Sequence, residues 1–200
     1  MRPMPGVPRT TPRRIGLLGG SFNPAHAGHL HISREALRRL GLDEVWWVVS
    51  PQNPLKGTDG MAALERRLAG ARAVARDKRV RVAAPEAALG TRYTVDTVAA
   101  LRRYFPMARF VWLMGADILP QLPRWKHWQR LFRKVPIGVF DRPGYRFQAL
   151  AGVAARRFAA ARLFTDLRRL PALPPPAWCF IRCPLDSHSA TAIRTGRTTP

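Results

Sequence analysis

Six short apolar-rich runs constrain this 200-residue chain more than any other feature: RIGLLGG, EVWWVVS, RVRVAAP, RFVWLMG, PIGVF and WCFIRC. Each has the length of a strand and is dominated by β-branched, aromatic or other apolar side chains. A strand with one face in water alternates apolar and polar residues, whereas one covered on both faces reads as a nearly continuous apolar run. Helical patterns separate these runs. HLHISREALRRLGL carries Leu30, Leu37 and Leu40 near one face, with Gly41 as its stop. Residues 61–76 and 147–161 read as helices, and ILPQLPRWKHWQRLF as a proline-broken loop leading into a short one. TVDTVAALRRYF reads as a helix capped by Thr94 and stopped by Pro106. The alternation predicts an α/β fold with a mostly parallel sheet and helices on both faces. In such sheets ligands bind beyond the carboxyl ends of the strands. The loops to watch are therefore 19–29, 50–58, 85–94, 114–126, 141–145 and 184–191.

The length suits one domain, placed at residues 14–200. Residues 1–13 are basic and too often interrupted by proline for a helix, and are expected to form a disordered arm. With 34 Lys+Arg against 12 Asp+Glu, the formal charge is +22, which favours anionic partners without choosing among them. Arginine interleaved with alanine would also follow from a GC-rich coding sequence. No apolar run is long enough to span a membrane, and none follows the basic N-terminus as a secretory signal requires. Cys179 and Cys183 lack the second ligand pair of a zinc site and fall on one strand face. Two buried or half-buried thiols in a reducing, cytoplasmic setting are expected.

The first loop, GGSFNPAHAGHL, joins a strand to a helix. Backbone N–H groups at such a junction attract anions, and Gly19 and Gly20 are free to take backbone angles closed to other residues. His26 and His29 stand three apart at the helix start, flanking Gly28. Phosphate binding, metal ligation and plain packing are all open to them, and phosphate asks least of the rest of the chain. Lys56 follows the second strand, and Asp117 lies just past Gly115 at the end of the fourth. Asp117 could hold a sugar hydroxyl, hold a metal-bound water, or cap a helix. Trp125 and Trp128 could pack, or one could stack on a planar ring. SATAIR puts Ser189, Thr191 and Arg194 at a helix start, a second anion site. Two anion sites without a nucleophile–base pair suggest phosphoryl or nucleotidyl transfer by positioning.

GGSFNPAHAGHL resembles the nucleotidylyltransferase signature GG(T/S)F(D/N)PxHxGH, and SATAIR resembles the second signature, (S/T)xTxIR. Together with SPQNPLK, RYTVDTVAAL, LMGADILPQLPRW and RPG, they resemble the bacterial nicotinate-nucleotide adenylyltransferases over residues 14–196. The resemblance implies a Rossmann-like, doubly wound fold. It also implies a reaction in which ATP and nicotinate mononucleotide give deamido-NAD and pyrophosphate, with Mg²⁺ carried by ATP. By motif match, His26 and His29 would contact the ATP phosphates, with His29 stabilising the transition state. Gly19, Gly20, Ser21 and Phe22 would line the nucleotide site through their backbone. Ser189, Thr191 and Arg194 would hold the outer phosphates, Ile193 the adenine side, and Lys56 would reach phosphate from across the site. Thr94, Asp117, Trp125 and Lys126 would surround nicotinate mononucleotide. Trp125 would stack near the pyridine ring, and the backbone N–H groups of Trp125 and Lys126 would meet its carboxylate. Only residues 195–200 follow the second signature, where the family usually continues a helix. Related adenylyltransferases acting on nicotinamide mononucleotide or phosphopantetheine are the near alternatives. An RNA-binding protein is the distant one, disfavoured because the aromatics sit mainly in apolar strands. An oligomer is left open.

Overall fold

A computed structural model of the protein describes residues 3–4, 6–8, 10–51 and 60–184. Along the chain run β1 (Arg13–Gly20), α1 (Ala27–Arg39), β2 (Glu44–Val49), α2 (Leu64–Val74), β3 (Val80–Ala83), α3 (Pro85–Leu89) and α4 (Thr94–Tyr104). Then come β4 (Ala108–Gly115), α5 (Trp128–Phe132), β5 (Ile137–Phe140), α6 (Arg146–Ala151), α7 (Val153–Arg157), β6 (Arg162–Leu163) and β7 (Trp178–Ile181). The strands form one sheet in the order β3-β2-β1-β4-β5-β7-β6, and every neighbouring pair is parallel. This is the expected Rossmann-like architecture. The chain winds outward from β1 through β2 to β3, then returns to lay β4 on the other side of β1. The reversal opens a crevice at the carboxyl ends of β1 and β4, the usual ligand position in such sheets.

The apolar runs bury both faces, as their composition requires. On one face Leu17, Trp46, Val48, Trp112, Val139 and Trp178 pack with α4, α5 and α7. On the other, Leu18, Val45, Trp47, Leu113, Phe140 and Cys179 pack with α1 and α2. Met4 and Val7, apolar residues of the segment read as a disordered arm, are buried in the first of these clusters. Helix α1 ends as read, with Gly41 at φ +60 just beyond Leu40. Thr94 does not cap α4. It is the first helical residue, and extended Tyr93 takes the cap position. The helix read over 147–161 is three pieces, broken at Gly152 and at Phe158; at Gly152 a Cβ would sit 3.0 Å from the Gln148 carbonyl. Both cysteines are free, Cys179 buried and Cys183 half-buried, as read, and burial pushes the Cys179 thiol up to about 12. No helix among the described residues is long and apolar enough to cross a membrane.

Gly19 and Gly20 are ordinary strand residues, and neither takes a positive φ. The expectation that they supply unusual backbone angles is therefore corrected for both. Gly19 is glycine because of close approach: a Cβ there would run into the Trp112 ring, 2.6 Å from Cζ2. Trp112 is buried, so the ring has little room to give. Gly19→Ala should cost about 1–3 kcal/mol of stability by overpacking. Urea titration of the two proteins checks this, and equal midpoints would show that Trp112 yields freely.

Candidate active site

The β1–α1 loop turns sharply at Phe22, a buried residue at φ +48. Its ring stacks on Trp47 at 5.1 Å and lies 4.6 Å from the His29 ring. Trp47 Nε1 donates to Ser33 Oγ at 2.8 Å, and Ser33 Oγ donates to the His29 carbonyl at 2.8 Å. The first turns of α1 are thereby anchored to β2. His26 stands at the N-cap in an extended conformation, and its backbone N–H donates to His29 Nδ1 at 3.2 Å. An Nδ1 that accepts carries no proton, so neutral His29 holds its proton on Nε2 and presents that nitrogen as a donor. The two imidazole centroids are 3.9 Å apart, with Gly28 buried in the same turn. These rings share the positive end of a thirteen-residue helix with no acidic residue in its first turn. His31 is directed elsewhere, to the Pro184 carbonyl at 2.8 Å.

Asp117 lies past the end of β4, and its Oδ2 accepts from Arg142 Nη1 at 3.0 Å. The other oxygen is buried, without a hydrogen-bond partner among the described residues. It occupies the space above Gly115, 2.5 Å from where a Cβ would stand. Gly115 is thus needed for the carboxylate to fold back over the strand end. The Asp117–Arg142 pair escaped the sequence reading, although MGAD and DRPG follow adjacent strands and so must be neighbours.

The aromatic loop is partly corrected. Trp125 is half-buried and edge-on to Trp112 at 6.3 Å, while Trp128 packs against Phe132 and Phe158. The Trp125 N–H already donates to the Leu122 carbonyl at 2.9 Å. It closes the 3-10 turn over Leu119–Arg124, which contains Pro120 and Pro123. This donor is therefore spent within the fold and is not offered to a carboxylate. Lys126 Nζ sits 4.4 Å from the centre of the Tyr93 ring, which brings the aromatic loop against the start of α4 and half-buried Thr94.

Around Ser50, at the end of β2, lie two residues that sequence reasoning passed over. Ser50 N–H donates to the Gly20 carbonyl at 2.9 Å, and Ser50 Oγ donates to Glu86 Oε2 at 2.9 Å. Burial pushes the Glu86 carboxyl up to about 7, against a smaller downward pull from the Ser50 hydroxyl. Buried Arg67 reaches the same junction from α2. Lys56, Ser189, Thr191, Ile193 and Arg194 lie outside the described residues. Among the described residues, no group of three His, Cys, Asp or Glu could hold a metal ion. The arrangement can receive a phosphate: two imidazoles 3.9 Å apart and the first amides of α1 gather where the chain leaves β1.

The family model described as cytidylyltransferase-like matches residues 17–196. A protein of Parvibaculum lavamentivorans, named probable nicotinate-nucleotide adenylyltransferase, is 57% identical over 182 residues, 90% of this chain and 90% of its own. One of the same name from Ruegeria pomeroyi is 53% identical over 94% of this chain and 89% of its own. Among solved structures, the Plasmodium falciparum nicotinic acid mononucleotide adenylyltransferase complexed with NaAD superposes with a TM-score of 0.68. That match covers 92% of this chain and 83% of the other, at 14% identity, and is a likeness of fold.

Proposed function

The chain belongs to the nicotinate-nucleotide adenylyltransferases within the cytidylyltransferase-like family, and on that premise we propose that it joins ATP to nicotinate mononucleotide, giving deamido-NAD and pyrophosphate. The observation that carries this reading is identity above one half over nine-tenths of the chain to relatives of that name. An oxygen of the mononucleotide phosphate attacks the α-phosphorus of ATP, and the bond from that phosphorus to the β-phosphate oxygen breaks. Pyrophosphate leaves with the electron pair, and no covalent enzyme intermediate forms. The protein's share is alignment and charge stabilisation. Mg²⁺ enters as part of the substrate, bound to the triphosphate.

In this reading His26 and His29 meet the ATP phosphates, and the Nε2–H of His29 donates to oxygens that gain charge in the transition state. Gly19, Gly20, Ser21 and Phe22 line the nucleotide through their backbone. Lys56, Ser189, Thr191 and Arg194 complete the phosphate contacts, and Ile193 lies on the adenine side. Thr94, Asp117 and Trp125 surround the pyridine mononucleotide. The buried Oδ1 of Asp117, without a hydrogen-bond partner among the described residues, supports a role for that residue in accepting a hydrogen bond from a ribose hydroxyl. With the Trp125 N–H spent on Leu122, recognition of the nicotinate carboxylate falls to the Lys126 side of the loop.

The test is pyrophosphate release with ATP and Mg²⁺, offering nicotinate mononucleotide, nicotinamide mononucleotide and phosphopantetheine in parallel. Turnover should be fastest with the nicotinate substrate. Absence of turnover with it would sink the reading, and preference for another acceptor would redirect it.

A further inference from the structure

Arg67 is a cation only 3% exposed, and its hydrogen bonds among the described residues all go to backbone carbonyls. Nε donates to Ala62 O at 2.8 Å, Nη1 to Ser21 O at 2.8 Å and to Ser50 O at 2.7 Å, and Nη2 to Pro51 O at 2.8 Å. Burial holds its pKa below the usual arginine value, with Glu65 pulling weakly the other way. Burying a cation is costly unless its donors are met. Here they are met by carbonyls of three separate segments, a task that suits a planar guanidinium and not an ammonium.

Three of these carbonyls stand at the carboxyl ends of β1 and β2. In a trans peptide the C=O and the following N–H point to opposite sides of the chain. Ser50 N–H takes the Gly20 carbonyl, and Arg67 takes the Ser21 carbonyl. Two successive carbonyls are thus drawn to the β2 side of β1, where an extended strand would alternate them. The Ser21 N–H is consequently turned away from Ser50, and the Phe22 N–H away from the Arg67 guanidinium. The left-handed Phe22 at φ +48 completes this turn. Successive N–H groups on one side of a turn make a concavity suited to an anion.

We propose that Arg67 is a positioning residue of the nucleotide site: by holding the Ser21, Ser50 and Pro51 carbonyls, it keeps the Ser21 and Phe22 amides aimed into the β1–β4 crevice, where a phosphate is received beside His26 and His29. Arg67 itself does not touch the substrate. The proposal rests on the adenylyl-transfer reading and adds to it the group that shapes the phosphate-binding backbone.

Two variants test it. Arg67→Lys keeps the charge and loses the fork, and Arg67→Ala leaves a space that a guanidinium ion can enter. Both are assayed well below their melting midpoints, with circular dichroism reporting the folded fraction. In Arg67→Lys, ATP affinity by calorimetry and kcat/KM for ATP should each fall about tenfold per folded molecule, as misplacement of binding groups requires. Millimolar guanidinium should restore part of the loss in Arg67→Ala, whereas equal sodium chloride or urea should not. ATP affinity in Arg67→Lys within twofold of the parent overturns the proposal, as does the absence of guanidinium rescue in folded Arg67→Ala. Since ATP binding is read without turnover, an inactive parent protein would sink the adenylyl-transfer reading separately.

Discussion

His29→Ala is expected to lower kcat for pyrophosphate release by about 10²–10³, the usual effect of removing one donor to charge that develops in the transition state. The lost group is the Nε2–H that His29 holds because its Nδ1 accepts from the His26 backbone. The helix should survive. Its buried residues are Gly28, Ser33, Ala36 and Leu37, and Ser33 bonds to the backbone carbonyl of residue 29 rather than to its ring. Contacts with Phe22 and Trp47 are lost, so a modest fall in melting temperature accompanies the change. If the donor acts mainly in the transition state, KM for ATP moves little while kcat collapses. Steady-state kinetics on folded protein decide the matter. Activity within a few-fold of the parent would remove His29 from the mechanism, and a rise in KM alone would make it a ground-state contact.

A second large effect is expected at Glu86, and it concerns stability. The carboxyl is pushed from its ordinary 4.5 to about 7 by burial, so the folded state holds this proton more tightly than the unfolded chain does. The contribution is fully present below about 4.5 and is lost as pH rises toward 7, where the folded protein must bury a carboxylate. The shift corresponds to about 3 kcal/mol between the two ends of that window. Glu86→Gln keeps the shape and an acceptor for the Ser50 hydroxyl while removing the titration. Denaturant unfolding at pH 5 and at pH 8 should therefore show the variant gaining on the parent by about 3 kcal/mol as pH rises. A stability difference that stays flat across that range would mean that Glu86 is ionised at little cost.

The parts of the fold legible in the chain were those set by local pattern. The long apolar strands and α1 with its Gly41 stop were readable because periodicity and turn chemistry act over a few residues. The edge strand β6 has two residues and the helix α3 five, too short for any period to register. At the Gly152 break a Cβ would press on the Gln148 and Ala149 carbonyls, while Pro120, thirty-two residues away in sequence, stands at ordinary contact distance. In the site the same division holds. GGSFNPAHAGHL announced an anion-binding loop, and its histidines do share one helix end. Gly19 was misjudged as conformational because its real constraint is the Trp112 ring on another strand.

By itself, the sequence determined the class of fold and the strand–glycine–helix junction of the first loop, because strand-length apolar runs and turn residues carry their physics locally. The tertiary structure decided how the polar atoms are used. It spent the Trp125 amide inside its own turn, and it paired Asp117 with Arg142 across β4 and β5. It also brought Arg67 and Glu86 to the Ser50 junction from separate helices. Those assignments follow from strand order, and a hydrogen-bond donor is free or spent only according to which neighbours the sheet has placed beside it.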